Sequence, residues 1–189
     1  MPDLSGLTYS LDCDKRTGIK EVYIFKTTNV NTVTIDATSR EITDITMTST
    51  NQAYKIEIDD DESSYTGTMA GGYGTRVTSL LNLSIYKVND SIRNIVQGWD
   101  KNACLAAIVV LYNGSAVCLG MDIDTDDSND VYKWVKKLNA SGTVGSGIVT
   151  DTGETATPKY LRGYQWTTNY EAPFVDSAFD YTTFTTVVA

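Results

Sequence analysis

Acidic residues crowd one short stretch of the sequence, DIDTDDSND, at residues 122–130. Carboxylate oxygens at alternating positions are the ligands that Ca²⁺ prefers, and Asp122, Asp124 and Asp126 match the first three ligand positions of an EF-hand loop. The match ends at the sixth position, where Asp127 stands instead of glycine, and at the twelfth, which is lysine instead of glutamate. A calcium loop is therefore the alternative interpretation and not the preferred one.

The residues after the acidic stretch have the spacing of a helix. Apolar side chains recur at i, i+3, i+4 and i+7, at Val131, Trp134, Val135 and Leu138. Acids and serine in a first helical turn accept hydrogen bonds from its free N–H groups, and lysines suit the other end of the helix dipole. The pattern predicts a helix over residues 130–139 that is capped by Asp127 and Ser128, with no metal bound.

Other groups that could perform chemistry are scarce. The sequence has no histidine, which removes Ser–His and Cys–His pairs, histidine bases and most zinc sites. The odd count of three cysteines, all in strand-like apolar runs, predicts buried free thiols at Cys13, Cys104 and Cys118. Carboxylate pairs of the glycosidase kind stay formally open, but spacing nominates no pair. We expect no catalytic residue, no cofactor and a protein that is not an enzyme.

The composition predicts a single, mainly β domain over residues 1–189. Hydrophobic residues make up 41% of the chain, Thr, Val, Ile and Tyr are abundant, and there are only three prolines. The formal charge of −9 opposes a surface that grips nucleic acid. No apolar run approaches the ~20 residues that cross a bilayer, and the first residues do not resemble a signal peptide. We therefore expect a protein made and kept in a cytoplasm, without membrane contact.

Alternating apolar residues predict strands along most of the chain. In KEVYIFKT, Val22 and Ile24 lie on one face and Tyr23 and Phe25 on the other. In LTYSLDC, at residues 7–13, every second residue is apolar: Leu7, Tyr9, Leu11 and Cys13. Further strands are predicted at NTVTID, EITDITMT, AYKIEI, the run from Val77 to Ile85, KYLRGYQWTTNY and YTTFTTVVA.

A helix, a hairpin and two irregular segments separate these strands. One helical face is formed by Ile92, Ile95, Val96 and Trp99, behind the candidate N-caps Asn89, Asp90 and Ser91. The apolar runs ACLAAIVVLY and SAVCLGMD are joined by Asn-Gly, the strongest hairpin signal in the chain. Residues 59–75 are predicted to form a long loop, and residues 140–158, rich in Gly, Ser and Thr, a flexible segment.

This order of elements resembles the tail tube proteins of bacteriophages and related contractile injection machines. The likeness runs from Thr75 onward and is carried by SLLNLSIYKVNDSIRNIVQGWDKNACLAAIVVLYNGSAVCLG and GYQWTTNYEAPFVD. Members of that family have there a strand, a flanking helix and a hairpin, and then a closing strand with its tail. The resemblance implies a β-sandwich or split barrel with one packed helix, from which the predicted second helix at 130–139 departs. The fold predicted for this chain is therefore a mainly β sandwich or split barrel with one or two short flanking α-helices.

What the resemblance implies for function is a structural virion protein of a phage tail, assembled in the host cytoplasm. Its chains would form stacked homo-oligomeric rings, beside other tail proteins, around an acidic channel through which DNA passes without binding tightly. The long loop would contact the next subunit or ring through Asp59, Asp60, Asp61, Glu62, Tyr65, Met69 and Tyr73. A different class of function stays open: a monomeric β-sandwich that binds a glycan or surface ligand by stacking on exposed tyrosines and Trp166.

Overall fold

The computed structural model describes residues 18–48, 52–58, 62–70, 76–85, 89–123, 132–140, 147–149 and 159–187. In chain order the strands are β1 (Ile19–Lys26), β2 (Val30–Ile35), β3 (Ile42–Met47), β4 (Ala53–Ile56), β5 (Ser64–Met69), β6 (Val77–Ile85), β7 (Leu105–Leu111), β8 (Ala116–Leu119), β9 (Met121–Ile123), β10 (Tyr132–Trp134), β11 (Leu138–Asn139), β12 (Gly147–Val149), β13 (Lys159–Thr168), β14 (Phe174–Val175) and β15 (Thr185–Val187). The helices are α1 (Asp90–Lys101) and α2 (Tyr181–Phe184), and Thr27–Asn29 form a 3-10 turn. The fold is mainly β, as predicted.

The strands form two large sheets and one small ribbon. An eight-stranded sheet has the order β15-β4-β1-β7-β8-β14-β3-β2, and a five-stranded sheet has the order β11-β13-β6-β5, with β12 also paired to β13. Strands β9 and β10 make a separate two-stranded ribbon. Facing sheets that bury a shared apolar layer are the arrangement of a β-sandwich, so the predicted fold class is confirmed.

The larger sheet is buried on both faces at its centre, which explains why its central strands read as nearly continuous apolar runs. Val22 and Ile24 of β1 face the five-stranded sheet and α1, in the core that also contains Leu81, Val96 and Trp166. Tyr23 and Phe25 face the other way, toward the β9–β10 ribbon and the chain around α2, where Phe179 and Phe184 are buried. The predicted alternation of β1 is confirmed on both faces.

The helix and the hairpin lie where the sequence places them. The side chain of Asn89 accepts a hydrogen bond from the Ile92 N–H at 2.8 Å, so Asn89 is the N-cap of α1 among the three candidates. Ile92, Val96 and Trp99 are the buried residues of this helix. Strands β7 and β8 pair through the Asn-Gly turn, in which Gly114 takes the positive φ of 89° that such turns require.

The predicted helix over residues 130–139 is wrong. Tyr132–Trp134 is strand β10, paired in register with β9, and Leu138–Asn139 is strand β11. Tyr132 and Trp134 both pack against the core that contains Phe179 and Phe184, and the centres of the Trp134 and Phe25 rings are 5.7 Å apart. Alternation of two large aromatic residues therefore overrode the helical spacing, because tertiary pairing outweighs local propensity. Asp127 and Ser128, its expected caps, lie outside the described residues.

The predicted long loop at 59–75 is also wrong over its centre. Ser64–Met69 is strand β5, antiparallel to β6 over six residue pairs, so this part of the segment belongs to a hairpin. The tyrosine and threonines of β5 favour strands, and its glycine lies in an exposed edge strand, where it costs little. Asp59, Asp60, Asp61 and Tyr73 lie outside the described residues.

Three smaller expectations have mixed outcomes. The last predicted strand, YTTFTTVVA, begins as the helix Tyr181–Phe184, whose Thr182 N–H donates to Asp180, and only Thr185–Val187 form β15. Within the predicted flexible segment 140–158, residues 147–149 form β12 against β13. Cys104 and Cys118 are free thiols, half-buried and buried respectively, whereas Cys13 and the predicted strand at 7–13 lie outside the described residues.

Candidate functional site

A groove opens between the two sheets on one side of the sandwich, with a volume of about 280 Å³. Its wall in the five-stranded sheet is formed by Tyr65, Gly67 and Met69 of β5. Its wall in the eight-stranded sheet is formed by Leu111 at the end of β7, Val117 of β8 and Phe174 of β14. We call this set of six residues the sheet groove. Three of these residues also belong to or pack against the core between the two large sheets: Tyr65, Leu111 and Val117. The groove is therefore a place where that core reaches the surface.

The alternation of β5 explains which side chains line the sheet groove. Residues 65, 67 and 69 point to one face of the strand, and Thr66 and Thr68 point to the other. Tyr65 is half-buried, and burial raises the pKa of its phenol. A methyl group built on Gly67 would meet the hydroxyl end of Tyr65 at 3.4 Å, so the Tyr65 ring reaches along the strand toward Gly67.

Two large apolar side chains are exposed at the mouth of the groove. Met69 is 58% exposed and Phe174 is 53% exposed, and they line the same opening. Within the part of the chain that the structure describes, β5 is the last strand of its sheet. An exposed edge strand beside an apolar opening is the arrangement on which another chain can add a strand.

The segment 171–174 separates the sheet groove from a second, smaller groove of about 180 Å³. The second groove is lined on its far side by Arg40, Glu41 and Ile123. Pro173 holds the segment in place, since its carbonyl accepts a hydrogen bond from the Cys118 N–H at 2.9 Å. Phe174 is thus presented on a fixed backbone between two grooves.

A polar network joins the end of α1 to β11 and β13, and it is the main cluster of charged groups in the described residues. Asp100 accepts from Arg162 Nε at 2.9 Å and from the Tyr164 hydroxyl at 3.1 Å. Lys137 donates to the carbonyl oxygens of Trp99 and Asp100. Burial raises the pKa of Tyr164 and lowers that of Lys137. Because these groups satisfy one another, the network cross-links elements and presents no free acid or base to a cleft.

Asp122, the first residue of the alternative calcium loop, has its oxygens occupied. Oδ1 accepts from the N–H groups of Asn169 and Tyr170, both at 3.2 Å, and Oδ2 accepts from Asn169 Nδ2 at 2.8 Å. Lys133 Nζ lies 3.8 Å from Oδ2. Three donors and an ammonium around one carboxylate tie β9 to the chain after β13. Among the described residues there is no group of three or more Asp, Glu, Cys or His that could hold a metal ion.

The predicted contact residues fall into two places. Tyr65 and Met69 line the sheet groove, whereas Glu62 lies at the other end of β5, hydrogen-bonded to Ser84 Oγ and paired with Lys159. Phe174 was missed by the sequence analysis, although its place beside Pro173 in a polar stretch was a signal. Trp166, expected to stack on a ligand, is 1% exposed, and its indole donates to the Leu105 carbonyl at 2.8 Å. That expectation is wrong.

The negative charge of the chain is unevenly distributed. The described residues contain twelve of the 24 acids and twelve of the 15 lysines and arginines, so their formal charge is zero. The whole charge of −9 therefore belongs to the other segments, chiefly residues 3–14, 59–61, 124–130 and 151–154. Two of these segments directly adjoin described elements, at Ile58 before residues 59–61 and at Ile123 before residues 124–130.

Comparison of the chain with protein-family models, curated proteins and solved structures finds no match. Among the helices of the described residues, none has the length and apolar character needed to span a membrane.

Proposed function

We propose that the protein is a structural subunit of a bacteriophage tail that self-associates through the sheet groove into rings or a tube with an acidic channel for genome passage. The observation that carries the proposal is the exposure of Met69 and Phe174 beside the outer edge of β5, which pairs with no second strand among the described residues. Water-exposed apolar side chains next to unpaired backbone groups favour aggregation of a monomer, whereas in an assembly they are buried and stabilise the contact between subunits.

The charge distribution supports the channel part of the proposal. Described elements with no net charge let subunits approach without net repulsion, while the acidic segments of the sequence carry the field that acts on DNA. Phosphates that meet carboxylates and no cationic surface release no counterions on contact and so slide without binding. The expected partners are further copies of this chain and other tail proteins, and the protein is not expected to be an enzyme.

The experiment is the mass of the purified protein by light scattering over a wide concentration range, with negative-stain microscopy of the same samples. We expect the mean mass to rise with concentration and closed rings or stacked rings to be visible. A mass that stays at 20.7 kDa at the highest concentration, with no rings beside its virion partners, contradicts the proposal. Duplex DNA added at physiological salt is expected to leave the mass unchanged.

A further inference from the structure

We propose that the sheet groove is filled by residues 7–13 of a neighbouring copy of this chain, which add a strand to the edge of β5 that faces away from β6. The inference rests on the proposed self-association, because that is what makes the donor a neighbour and not the same copy. It assigns the groove an occupant of definite sequence, LTYSLDC.

The groove has the form that accepts an extended chain. A strand running beside β5 would turn every second side chain toward the space framed by Tyr65, Met69 and Phe174. Gly67, between Tyr65 and Met69, carries no side chain, so the end of the Tyr65 ring is the nearest group there that an entering side chain would contact. The outer edge of β5 would supply the backbone hydrogen bonds, and the apolar groove would supply the preference for apolar side chains at alternate positions.

The proposed donor has the matching pattern. In an extended segment the apolar residues of the donor would share one face and Thr8, Ser10 and Asp12 would share the other. Seven extended residues span ~23 Å, and the six residues of β5 span ~20 Å, so donor and acceptor have similar lengths. Apolar side chains would enter the groove while the polar face would remain in water.

The donor also begins at the right place on the subunit. The Gly18 carbonyl accepts from the Tyr112 N–H at 3.2 Å, and Ile19 pairs with Leu111, which lines the sheet groove. Gly18, the first described residue, therefore lies on the groove side of the subunit. Subunits that meet at this side lie within reach of each other's segment through the polar link at residues 14–17.

A matched pair of full-length variants tests the donor. Leu7→Asp with Leu11→Asp places two charges on the apolar face, and Thr8→Asp with Ser10→Asp places the same charges on the polar face of the same segment. We expect the first variant to lose self-association and the second to keep it, with the circular dichroism spectrum of both unchanged. Met69→Asp serves as the variant with a blocked groove and an intact donor.

Mixing shows whether the donation is between copies. The Leu7→Asp, Leu11→Asp variant retains its groove and the Met69→Asp variant retains its donor, so each should be monomeric alone and the mixture should form heterodimers. Assembly of the donor variant at the level of the parent chain would overturn the inference while leaving the proposed function standing. A mixture that stays monomeric would also overturn it. A parent chain that is itself monomeric at all concentrations refutes the proposed function and, with it, this inference.

Discussion

The ammonium nitrogen of Lys137 lies 2.8 Å from the carbonyl oxygen of Trp99, at the last turn of α1. It also contacts the Asp100 carbonyl at 3.4 Å and Asn139 Oδ1 at 2.5 Å, and it lies 4.6 Å from the centre of the Tyr164 ring. A cation on the final carbonyls of a helix satisfies acceptors that lack intrahelical partners and complements the negative end of the dipole. Lys137, which is distant in sequence, thus anchors α1 to the five-stranded sheet.

Replacing Lys137 by Met should lower the free energy of unfolding by about 1–3 kcal/mol, because charge-assisted hydrogen bonds to the helix carbonyls are lost. Lys136→Met is the matched control, since the neighbouring Lys136 is exposed and should tolerate the change. Urea denaturation of both variants measures the difference. Equal stability of the two would show that the Lys137 contacts contribute nothing.

Some features of the fold could be predicted from the sequence, and others, including the burial of Lys137, could not. The short-range signals held: Asn89 caps α1, Asn113–Gly114 forms the hairpin, and β1 alternates as predicted. The helix cap and the hairpin are set by residues a few positions apart, and the alternation of β1 is set by the burial of one sheet on both faces.

The failures depend on partners far along the chain. The sequence pattern places Lys137 on the outer face of a helix, yet Lys137 is buried, because Lys137 and Asn139 donate to the last carbonyl groups of α1. Residues 64–69 contain a serine and a glycine and have no clear apolar period, so the sequence predicts a loop, but β6 supplies the pairing that makes them a strand. The sheet groove could be predicted only in part, through Tyr65 and Met69, because Phe174 reaches it from more than a hundred residues away.

Gly120 should not tolerate a side chain. Its φ is +94°, and an added methyl group would lie 2.9 Å from Nε1 of the buried Trp166. Gly120→Ala should therefore lower the free energy of unfolding by about 2–4 kcal/mol, from left-handed backbone strain and overpacking combined. Gly98→Ala is the control, because Gly98 lies in α1 with nothing within 4 Å of the new methyl group, and it should gain up to ~1 kcal/mol. Thermal denaturation that ranks the two variants the other way contradicts this account.

Calcium should neither bind stoichiometrically nor raise the melting temperature, because the Asp122 oxygens are already occupied by three N–H donors. Asp122→Asn should instead lower the free energy of unfolding by about 1–3 kcal/mol, since its new amide group would face other donors. The exposed Asp44→Asn is the control. Titration calorimetry that detects one bound calcium ion per chain would refute the prediction.

Stability should fall above about pH 10, where unfolded tyrosines ionise. Burial and the hydrogen bond to Glu21 raise the pKa of Tyr23, and burial with the charge of Glu21 raises the pKa of Tyr181 to about 12. A raised phenol pKa stabilises the fold fully below pH 10, and that contribution is lost as the pH rises toward the folded value. The lowered pKa of Lys137 acts in the opposite direction, but raised tyrosines outnumber it. Urea midpoints between about pH 8 and pH 11 should show the fall, and Tyr23→Phe should reduce it.

Replacing Met69 and Phe174 together by Asp should abolish self-association without unfolding the subunit. Both side chains are more than half exposed in the single chain, so the fold does not depend on their burial. Removing two apolar side chains from an interface should cost about 3–6 kcal/mol of association free energy, which weakens binding by ~10²–10⁴-fold.

Leu138→Asp is the matched control for this pair, because Leu138 is 57% exposed but lies on β11, at the opposite edge of the five-stranded sheet. The Met69→Asp, Phe174→Asp double variant should therefore have the mass of one chain at concentrations where the parent and the Leu138→Asp variant are oligomers, with melting temperatures of the three chains alike. If substitutions at both edges reduce association equally, added charge and not the sheet groove is responsible. If neither does, the contact between subunits lies on another face, since removal of the two most accessible groove side chains leaves no apolar mouth for a neighbour to fill.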